Sequence, residues 1–256
     1  MMDTFFALAE SLADAVRPIV MKHFRAGVDV DSKDDASPVT VADREAETAM
    51  RALIERNFPD HGIIGEEHGE KMPDAEYVWV LDPVDGTRSF VTGNPLFGTL
   101  IGLARRGRPI LGVMDAPALG ERWVGGEGRA TTMNAKPVRA RACAGIGEAW
   151  LYAGAPQDYP ASDLAAFERL RRQCRGAAYC ADWYAYGLLA SGLADLVVEA
   201  DLQPYDFAAL VAVVRGGGGY FTDWQGGEIT LASRGGMVAA GDRRTHLAAC
   251  RVLGAG

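Results

Sequence analysis

Segment 79–90, WVLDPVDGTRSF, ends an apolar run with two aspartates three positions apart. Asp82 and Asp85 flank a Pro-Val pair, and Gly86 follows directly. A buried strand rarely ends in this way for packing alone, because an aspartate beside a core needs hydrogen-bond partners or a metal. Proline fixes one φ angle and glycine permits a tight turn, so both side chains and the Val84 carbonyl can point at one spot. The segment therefore predicts an oxygen-rich metal site.

Acidic residues stand at two further places where the pattern predicts a strand end or a helix start, Glu66 in IIGEEHG and Asp206 in PYDFAAL. Grouped carboxylates raise one another's pKa unless a cation lies among them. Hard oxygen ligands of this kind suit Mg²⁺ rather than zinc. Each position also has a simpler interpretation: Asp-Pro is typical of a turn, Glu-Glu of a solvated loop, and Asp206 of a helix N-terminal charge. Their joint occurrence favours a shared magnesium site.

The Asp-Gly-Thr sequence offers backbone N–H groups at Gly86 and Thr87. A helical turn beginning there would direct its positive end at an anion. Metal ions beside oriented amides describe a phosphate site, at which metal-activated water can attack phosphorus in line with the leaving oxygen. The predicted chemistry is hydrolysis of a phosphate ester.

Two helices and a mostly antiparallel sheet are predicted to position these residues in the first half of the chain. The N-terminal segment carries apolar residues at helical spacing. A second helix is predicted to begin near Thr40, with Asp43 three residues on as a variant of the capping box. Short β-rich runs follow, including a hairpin about Gly107.

The pattern changes near Val138, after which strands and helices alternate. This alternation is typical of an α/β subdomain. We therefore predict an N-terminal α+β subdomain, residues 1–137, that carries most metal ligands. The C-terminal α/β subdomain, residues 138–256, would carry Asp206 and the substrate-selecting residues.

Composition narrows the choice of partners. The 256 residues include 26 Lys and Arg against 34 Asp and Glu, a net charge of −8, which argues against non-specific nucleic-acid binding. An anionic substrate stays possible, because a bound metal reverses the field locally. The apolar runs of the N-terminal segment fall far short of the ~20 residues of a membrane span, and an acid stands at position 3 where a secretory signal has basic residues. We expect a cytoplasmic protein that binds neither nucleic acid nor membrane.

Three segments, GIIGEEHG, WVLDPVDGTRSFVTGNPLFGTLIGL and PYDFAALVAVVRGGGG, resemble in order and spacing the signature segments of the inositol monophosphatase-like family. Within that family, SPVTVADREAE and ADWYAYGLLASG look most like histidinol-phosphate phosphatases. The resemblance implies a mixed fold of the α/β (α+β) class. Its architecture would be the layered αβαβα sandwich of inositol monophosphatases and fructose-1,6-bisphosphatases. It also implies a Mg²⁺-dependent, lithium-sensitive phosphomonoesterase, commonly a homodimer.

The resemblance further implies a ligand set for two or three Mg²⁺ ions. By matching motif positions, Glu66, Asp82 and the Val84 carbonyl would bind the first ion. Asp82, Asp85 and Asp206 would bind the second. Glu66 would also reach a third, weaker ion.

Catalytic roles are implied in the same way. Thr87 would orient the nucleophilic water, with Asp43 behind it and Glu66 completing the catalytic group. The Gly86 and Thr87 amides would receive the phosphate. The capping role of Thr40 and Asp43 stays open beside this one.

Specificity must come from groups that touch the rest of the substrate. Glu199 matches a family position that contacts the substrate's organic part, and Asp182 stands where inositol-specific relatives usually carry a small apolar residue. Two acids favour a cationic head, such as the ammonium and imidazole of histidinol phosphate. We therefore predict hydrolysis of histidinol phosphate to histidinol and phosphate, a step of histidine biosynthesis. Arg88 and Asn94 would shape the mouth, and Asp206 would also border the substrate.

Several alternatives stay open. Asp182 could instead be the N-cap of the following helix. The enzyme could be an inositol-1-phosphatase or a broad sugar-phosphate phosphatase. The chain could also be a non-catalytic regulatory or binding protein on the same scaffold, although every ligand position is filled. In each enzymatic case the partner is a small phosphorylated metabolite.

Overall fold

Two main sheets and seven α-helices make up the described part of the chain. The structure, a computed structural model, describes residues 1–26, 30–32 and 38–254. The helices are α1 (Met2–His23), α2 (Val41–Asn57), α3 (Thr87–Val91), α4 (Ala161–Arg171), α5 (Tyr184–Ala190), α6 (Pro204–Gly216) and α7 (Arg243–Leu253). Short 3₁₀ turns span Ile146–Glu148 and Pro156–Asp158.

The larger sheet is antiparallel except at one pair of neighbouring strands, which run parallel. Its strands are β3 (Gly62–Gly65), β4 (Gly69–Lys71), β5 (Tyr77–Asp85), β6 (Gly98–Arg105), β7 (Arg108–Ala116), β8 (Glu121–Gly126), β9 (Arg129–Met133) and β10 (Lys136–Pro137). Their spatial order is β10-β9-β8-β7-β6-β5-β3-β4, and β3 pairs with β5 in parallel. A separate ribbon pairs β1 (Val30–Ser32) with β2 (Pro38–Thr40).

The smaller sheet is mixed. Its strands are β11 (Trp150–Ala153), β12 (Gly176–Tyr179), β13 (Leu196–Glu199), β14 (Tyr220–Asp223) and β15 (Met237–Ala240), in the order β12-β11-β13-β15-β14. The strands β12, β11 and β13 run parallel, and β15 is antiparallel to both its neighbours.

Helices and sheets stack in five layers. One apolar core joins α1 and α2 to the larger sheet, and a second fills the space around α5 and α6 between the two sheets. A third core joins the smaller sheet to α4 and α7. The layers therefore follow the order αβαβα, which confirms the predicted fold class.

The central helix α6 lies directly on the larger sheet. Gly102 and Gly112 face each other across β6 and β7. A Cβ added to Gly112 would lie 2.1 Å from the Ala209 carbonyl oxygen, and one added to Gly102 would lie 2.9 Å from the Ala208 Cβ. Only glycine leaves room for this close approach. The sheet thereby fixes α6 and, at its first turn, Asp206.

Several predictions about elements can be compared with this architecture. The hairpin about Gly107 is confirmed, since β6 and β7 flank that residue and its φ is +75°. The proposed cap by the Thr40 side chain lies outside the described side chains. The division at 137/138 stays a prediction. Among the described helices, none has both the length and the hydropathy to cross a membrane.

Candidate active site

The end of β5 presents the two aspartates of the DPVD segment. Its pairing with β6 shifts register between Asp82 and Asp85, so the strand bulges there. The buried Thr99 hydroxyl of β6 donates to the Pro83 carbonyl at 2.7 Å and fixes the bulge. Gly86 then takes a φ of +82°, and α3 begins at the next residue. The predicted turn into a short helix is confirmed.

Acidic side chains from four separate parts of the chain lie close enough to this point to repel one another. Asp82 is 2% exposed, and burial raises its pKa well above the usual range. Repulsion from the neighbouring carboxylates raises that pKa further; these are Glu66 after β3, Asp85 in β5, Asp206 in α6 and Asp43 in α2. The structure thus brings together the four acids of the predicted metal site and the predicted catalytic Asp43.

The pKa values of Asp85 and Asp206 are raised as well. Burial raises the pKa of Asp85 well above its usual range. The acids that add to this effect are Asp206, Asp182, Glu66 and Glu199. Burial also raises the pKa of Asp206 to about 7, although the Gln203 backbone N–H, which donates to Asp206 Oδ2 at 2.7 Å, works against the shift.

A cavity of about 590 Å³ opens beside the acids. This volume is typical of a small-molecule site. The predicted site residues that line it are Glu66, Asp85, Gly86, Thr87, Arg88, Asp182, Glu199 and Asp206. Val84 is fully buried behind the wall, and its carbonyl accepts a hydrogen bond from Thr87 Oγ1 at 3.1 Å. Asn94 does not line the cavity; its Oδ1 accepts from the Leu96 N–H at 3.1 Å.

The donor set fits a hard divalent cation. Asp82 Oδ1 is buried and accepts no hydrogen bond, which is a costly state for a carboxylate oxygen. Among the described residues, no three Asp, Glu, His or Cys side chains are gathered tightly enough to hold an ion as they stand. Asp206 instead completes a capping box with Gln203, so its simpler interpretation as a helix-terminal charge is also confirmed. Since a cation would offset the repulsion among these carboxylates, the residues present are suited to Mg²⁺.

The two predicted substrate selectors both line the cavity. Glu199 ends β13 and is 8% exposed. Asp182 has a φ of +43° and precedes α5, whose N-cap is Trp183 without a side-chain cap. The alternative that Asp182 is the N-cap of this helix is therefore wrong, because Trp183 occupies that position.

Other cavity residues were not predicted from the sequence. Asp201 lies in the wall two positions after Glu199, and the acid spacing in VVEAD could have indicated it. Trp183 and Tyr186 are each 1% exposed and line the same space. The Trp183 ring lies where a Cβ at Gly98 would approach to 2.2 Å, so a glycine on β6 makes room for it. Nothing local in the sequence indicates that contact.

The raised carboxylate pKa values predict how pH affects the metal-free protein. Between about pH 4 and about pH 7 folded Asp206 keeps a proton that the unfolded chain has released, so the free energy of unfolding falls as pH rises through this window. Asp82 and Asp85 shift in the same direction. As pH rises, we expect the thermal unfolding midpoint of Asp206→Asn to increase relative to that of the wild type, when both are measured in EDTA.

The difference between the two proteins is the useful quantity, because salt-bridged acids elsewhere give the opposite slope. Asp195, for example, has a pKa lowered by Arg141 even though burial opposes the shift. That contribution is present in both proteins and cancels. A difference that stays constant from about pH 4 to about pH 7.5 would contradict the assignment of the shift to Asp206. Adding Mg²⁺ is expected to stabilise the wild type most at the upper end of the range.

Comparisons with known proteins extend over almost the whole chain. The model of the inositol monophosphatase family matches residues 1–253. The chain is 46% identical to the bifunctional phosphatase IMPL2 of Arabidopsis thaliana, over 98% of this chain and 75% of the relative. It is 36% identical to the histidinol-phosphatase of Chlorobaculum parvum, over 91% and 90% of the two chains. Among solved structures, an inositol monophosphatase from Zymomonas mobilis superposes with a TM-score of 0.91 at 42% identity, covering 98% of both chains.

Proposed function

Because the chain belongs to the inositol monophosphatase family, whose members are phosphoric monoester hydrolases, we propose that it hydrolyses histidinol phosphate with Mg²⁺ as cofactor. Members of this family are generally metal-dependent phosphatases. The family assignment favours an enzyme over the non-catalytic alternative. The identity of the ion, the substrate and the residue roles are the proposal.

The observation that carries the choice of substrate is the pair of acids in the cavity wall. Asp182 and Glu199 both add to the raised pKa of Asp85, so they lie close to the acids of the proposed metal site. A substrate whose phosphate binds at Asp85 would place its organic part near these two carboxylates. Charge-assisted hydrogen bonds from an ammonium or imidazolium group would be stronger there than those from neutral hydroxyls.

Names of the relatives give further support. Curated relatives from Chlorobaculum parvum and Mycobacterium tuberculosis are histidinol-phosphatases, at 36% and 33% identity. The Arabidopsis relative is described as bifunctional, and the Zymomonas structure as an inositol monophosphatase. Inositol-1-phosphate is therefore the second candidate substrate. A broad sugar-phosphate activity is the third.

In this proposal Glu66, Asp82, Asp85 and Asp206, with the Val84 carbonyl, hold the ions. When bound, Mg²⁺ supplies Lewis-acid stabilisation of the negative charge that grows on the phosphate and leaving oxygens. A bound cation would favour the charged forms of Asp82, Asp85 and Asp206, because burial and repulsion among the acids raise the pKa of all three. The cluster would thus act as the ligand set that the fold supplies.

The chain's other residues orient the reactants. Thr87 Oγ1 donates to the Val84 carbonyl, which leaves a lone pair of the hydroxyl oxygen able to accept a hydrogen bond from the attacking water. Asp43, 2% exposed in the first turn of α2, would fix that water from behind. The Gly86 and Thr87 amides would hold the phosphate, and exposed Arg88 would lie at the rim. A homodimer, lithium sensitivity and a cytoplasmic location stay predictions.

A comparison of three substrates tests the proposal. With Mg²⁺ present, we expect kcat/KM for histidinol phosphate to exceed that for inositol-1-phosphate by about 100-fold, since each charge-assisted contact contributes about 1.5–3 kcal/mol. A nucleotide monophosphate serves as the third substrate, and EDTA should stop phosphate release from all three. Equal or faster turnover of inositol-1-phosphate would transfer the assignment to the second candidate. If none of the three esters released phosphate in a metal-dependent reaction, the proposed mechanism would be wrong.

A further inference from the structure

A buried carboxylate outside the predicted site contacts the turn that carries Glu66. Glu47 lies on α2, one helical turn after Asp43, and its side chain is fully buried. A buried charge needs strong partners to offset its lost hydration. Glu47 is not among the residues that line the cavity, so its role must be sought in what it contacts.

The contacts of Glu47 are with the backbone just after Glu66. Its Oε2 accepts from the Glu67 N–H at 2.7 Å, and its Oε1 accepts from the His68 N–H at 3.2 Å. Arg51 Nε donates to Oε1 at 2.7 Å. Arg51 Nη2 also donates to the Gly69 carbonyl at the start of β4.

The sheet fixes the other side of the same turn. The Glu66 N–H donates to the Leu81 carbonyl at 3.2 Å, beside Asp82. A Cβ added to Gly65 would lie 2.0 Å from Glu47 Oε1, so the carboxylate fills the space that a side chain at this position would need. The backbone of Glu66 is thus held by β5 before it and by α2 after it.

We propose that Glu47 and Arg51, here called the Glu47–Arg51 clamp, position Glu66 for metal binding without touching the metal. The inference depends on the proposed function, in which Glu66 is a metal ligand. The clamp also gives α2 two functions: the helix carries Asp43, and it fixes the position of the turn that carries Glu66. Charge-assisted bonds to backbone amides are short and directional, so they define the position of that turn closely.

A conservative substitution tests the clamp. Glu47→Gln keeps the shape of the side chain but loses its charge, and one of its two acceptor oxygens becomes an N–H donor. We expect its Kd for Mg²⁺, measured by isothermal titration calorimetry on the folded protein, to rise about tenfold, which is the usual cost of losing a group that supports a metal ligand. The Mg²⁺ concentration that half-saturates phosphatase activity should rise in parallel.

Asp195→Asn is the matched control. Asp195 is 3% exposed and, like Glu47, accepts from an arginine and a backbone N–H: Arg141 at 2.6 Å and Trp150 at 2.9 Å. It lies immediately before β13 and does not line the cavity. We expect a comparable loss of thermal stability, with a Kd for Mg²⁺ within about twofold of wild type because distant sites act independently.

The outcomes separate the clamp from the proposed function. If Glu47→Gln and Asp195→Asn lose stability alike and both keep the wild-type Kd for Mg²⁺, the clamp is only a structural contact and the inference is wrong. If the wild type itself binds no Mg²⁺, the proposed function and the clamp are both overturned. Should Glu47→Gln fail to fold, Arg51→Lys replaces it, because lysine cannot donate to both the carboxylate and the Gly69 carbonyl from one rigid group. A wild-type Kd for Mg²⁺ in that variant would likewise overturn the inference.

Discussion

Asp85→Asn is expected to lose at least about 100-fold in kcat/KM, because removing a metal ligand should cost no less than removing a group that supports one. Asp85 lies at the end of β5 and lines the cavity together with Glu66 and Asp206. An amide is a neutral and weaker ligand for Mg²⁺ than a carboxylate. Excess Mg²⁺ should restore activity only in part.

The fold should survive this change. Burial and four neighbouring acids raise the pKa of Asp85, so its charge destabilises the metal-free protein. In EDTA at neutral pH, Asp85→Asn is therefore expected to unfold at the same temperature as the wild type or above it. With Mg²⁺ added, the order should reverse, because the wild type gains more binding energy.

Asp195→Asn again serves as the control for substituting a buried carboxylate. Its charge is paired with Arg141 at 2.6 Å, so the metal-free protein should lose stability while keeping its activity. In EDTA, Asp85→Asn should thus keep its stability, whereas Asp195→Asn should lose stability. With Mg²⁺, Asp85→Asn should lose activity, whereas Asp195→Asn should keep it. Full activity in Asp85→Asn would contradict its assignment as a metal ligand.

Local sequence chemistry predicted the turn at the end of β5 well, because its main features lie within a few residues. The aspartates, the proline and Gly86 together indicated a tight turn that presents oxygens, and the structure has that turn. The bulge, however, depends on a hydrogen bond from the Thr99 hydroxyl to the Pro83 carbonyl, and these two residues are 16 positions apart in the sequence. A single sequence gives no register for β5 against β6, so this contact could not be predicted.

Helix α2 shows where hydrophobic periodicity stops being informative. Helical spacing of Met50, Leu53 and Ile54 predicts that these residues form its buried face; Met50 and Ile54 are fully buried, and Leu53 is partly buried. Glu47 lies on the same helix and is equally buried. Since glutamate is almost never buried without a partner, the pattern assigns it to the solvent side. Only the docking of the β3–β4 turn on α2 reveals its partners.

The αβαβα layer order was implied by the family resemblance, and alternating strands and helices indicated only an α/β C-terminal half; neither local pattern placed Asp206 against the first half. The sequence assigned Asp206 to the C-terminal subdomain. In the structure its helix lies against the strands β5–β8 of the larger sheet, and Gly102 and Gly112 permit the contact. The acid reaches the others because α6 crosses between the halves of the chain. Such packing depends on pairs of residues about 100 positions apart, which local patterns do not connect.

Substrate choice is expected to depend on two carboxylates in the cavity wall. Asp182→Asn and Glu199→Gln should each lower kcat/KM for histidinol phosphate by about 10- to 100-fold, equivalent to one lost charge-assisted contact of about 1.5–3 kcal/mol. Turnover of inositol-1-phosphate should change little, because hydroxyl groups can hydrogen-bond to an amide as they do to a carboxylate.

Asp201→Asn provides the matched control, since it removes the same charge from the same cavity wall. Asp201 is exposed, so solvent screens its charge, and we expect less than about fivefold loss with histidinol phosphate. The decisive measurement is the ratio of kcat/KM for the two substrates in all three variants at one Mg²⁺ concentration. Variants at Asp182 and Glu199 that slowed both substrates equally would show that these acids shape the cavity or tune Asp85 without recognising a cationic head. The substrate assignment would then lose the one observation that carries it.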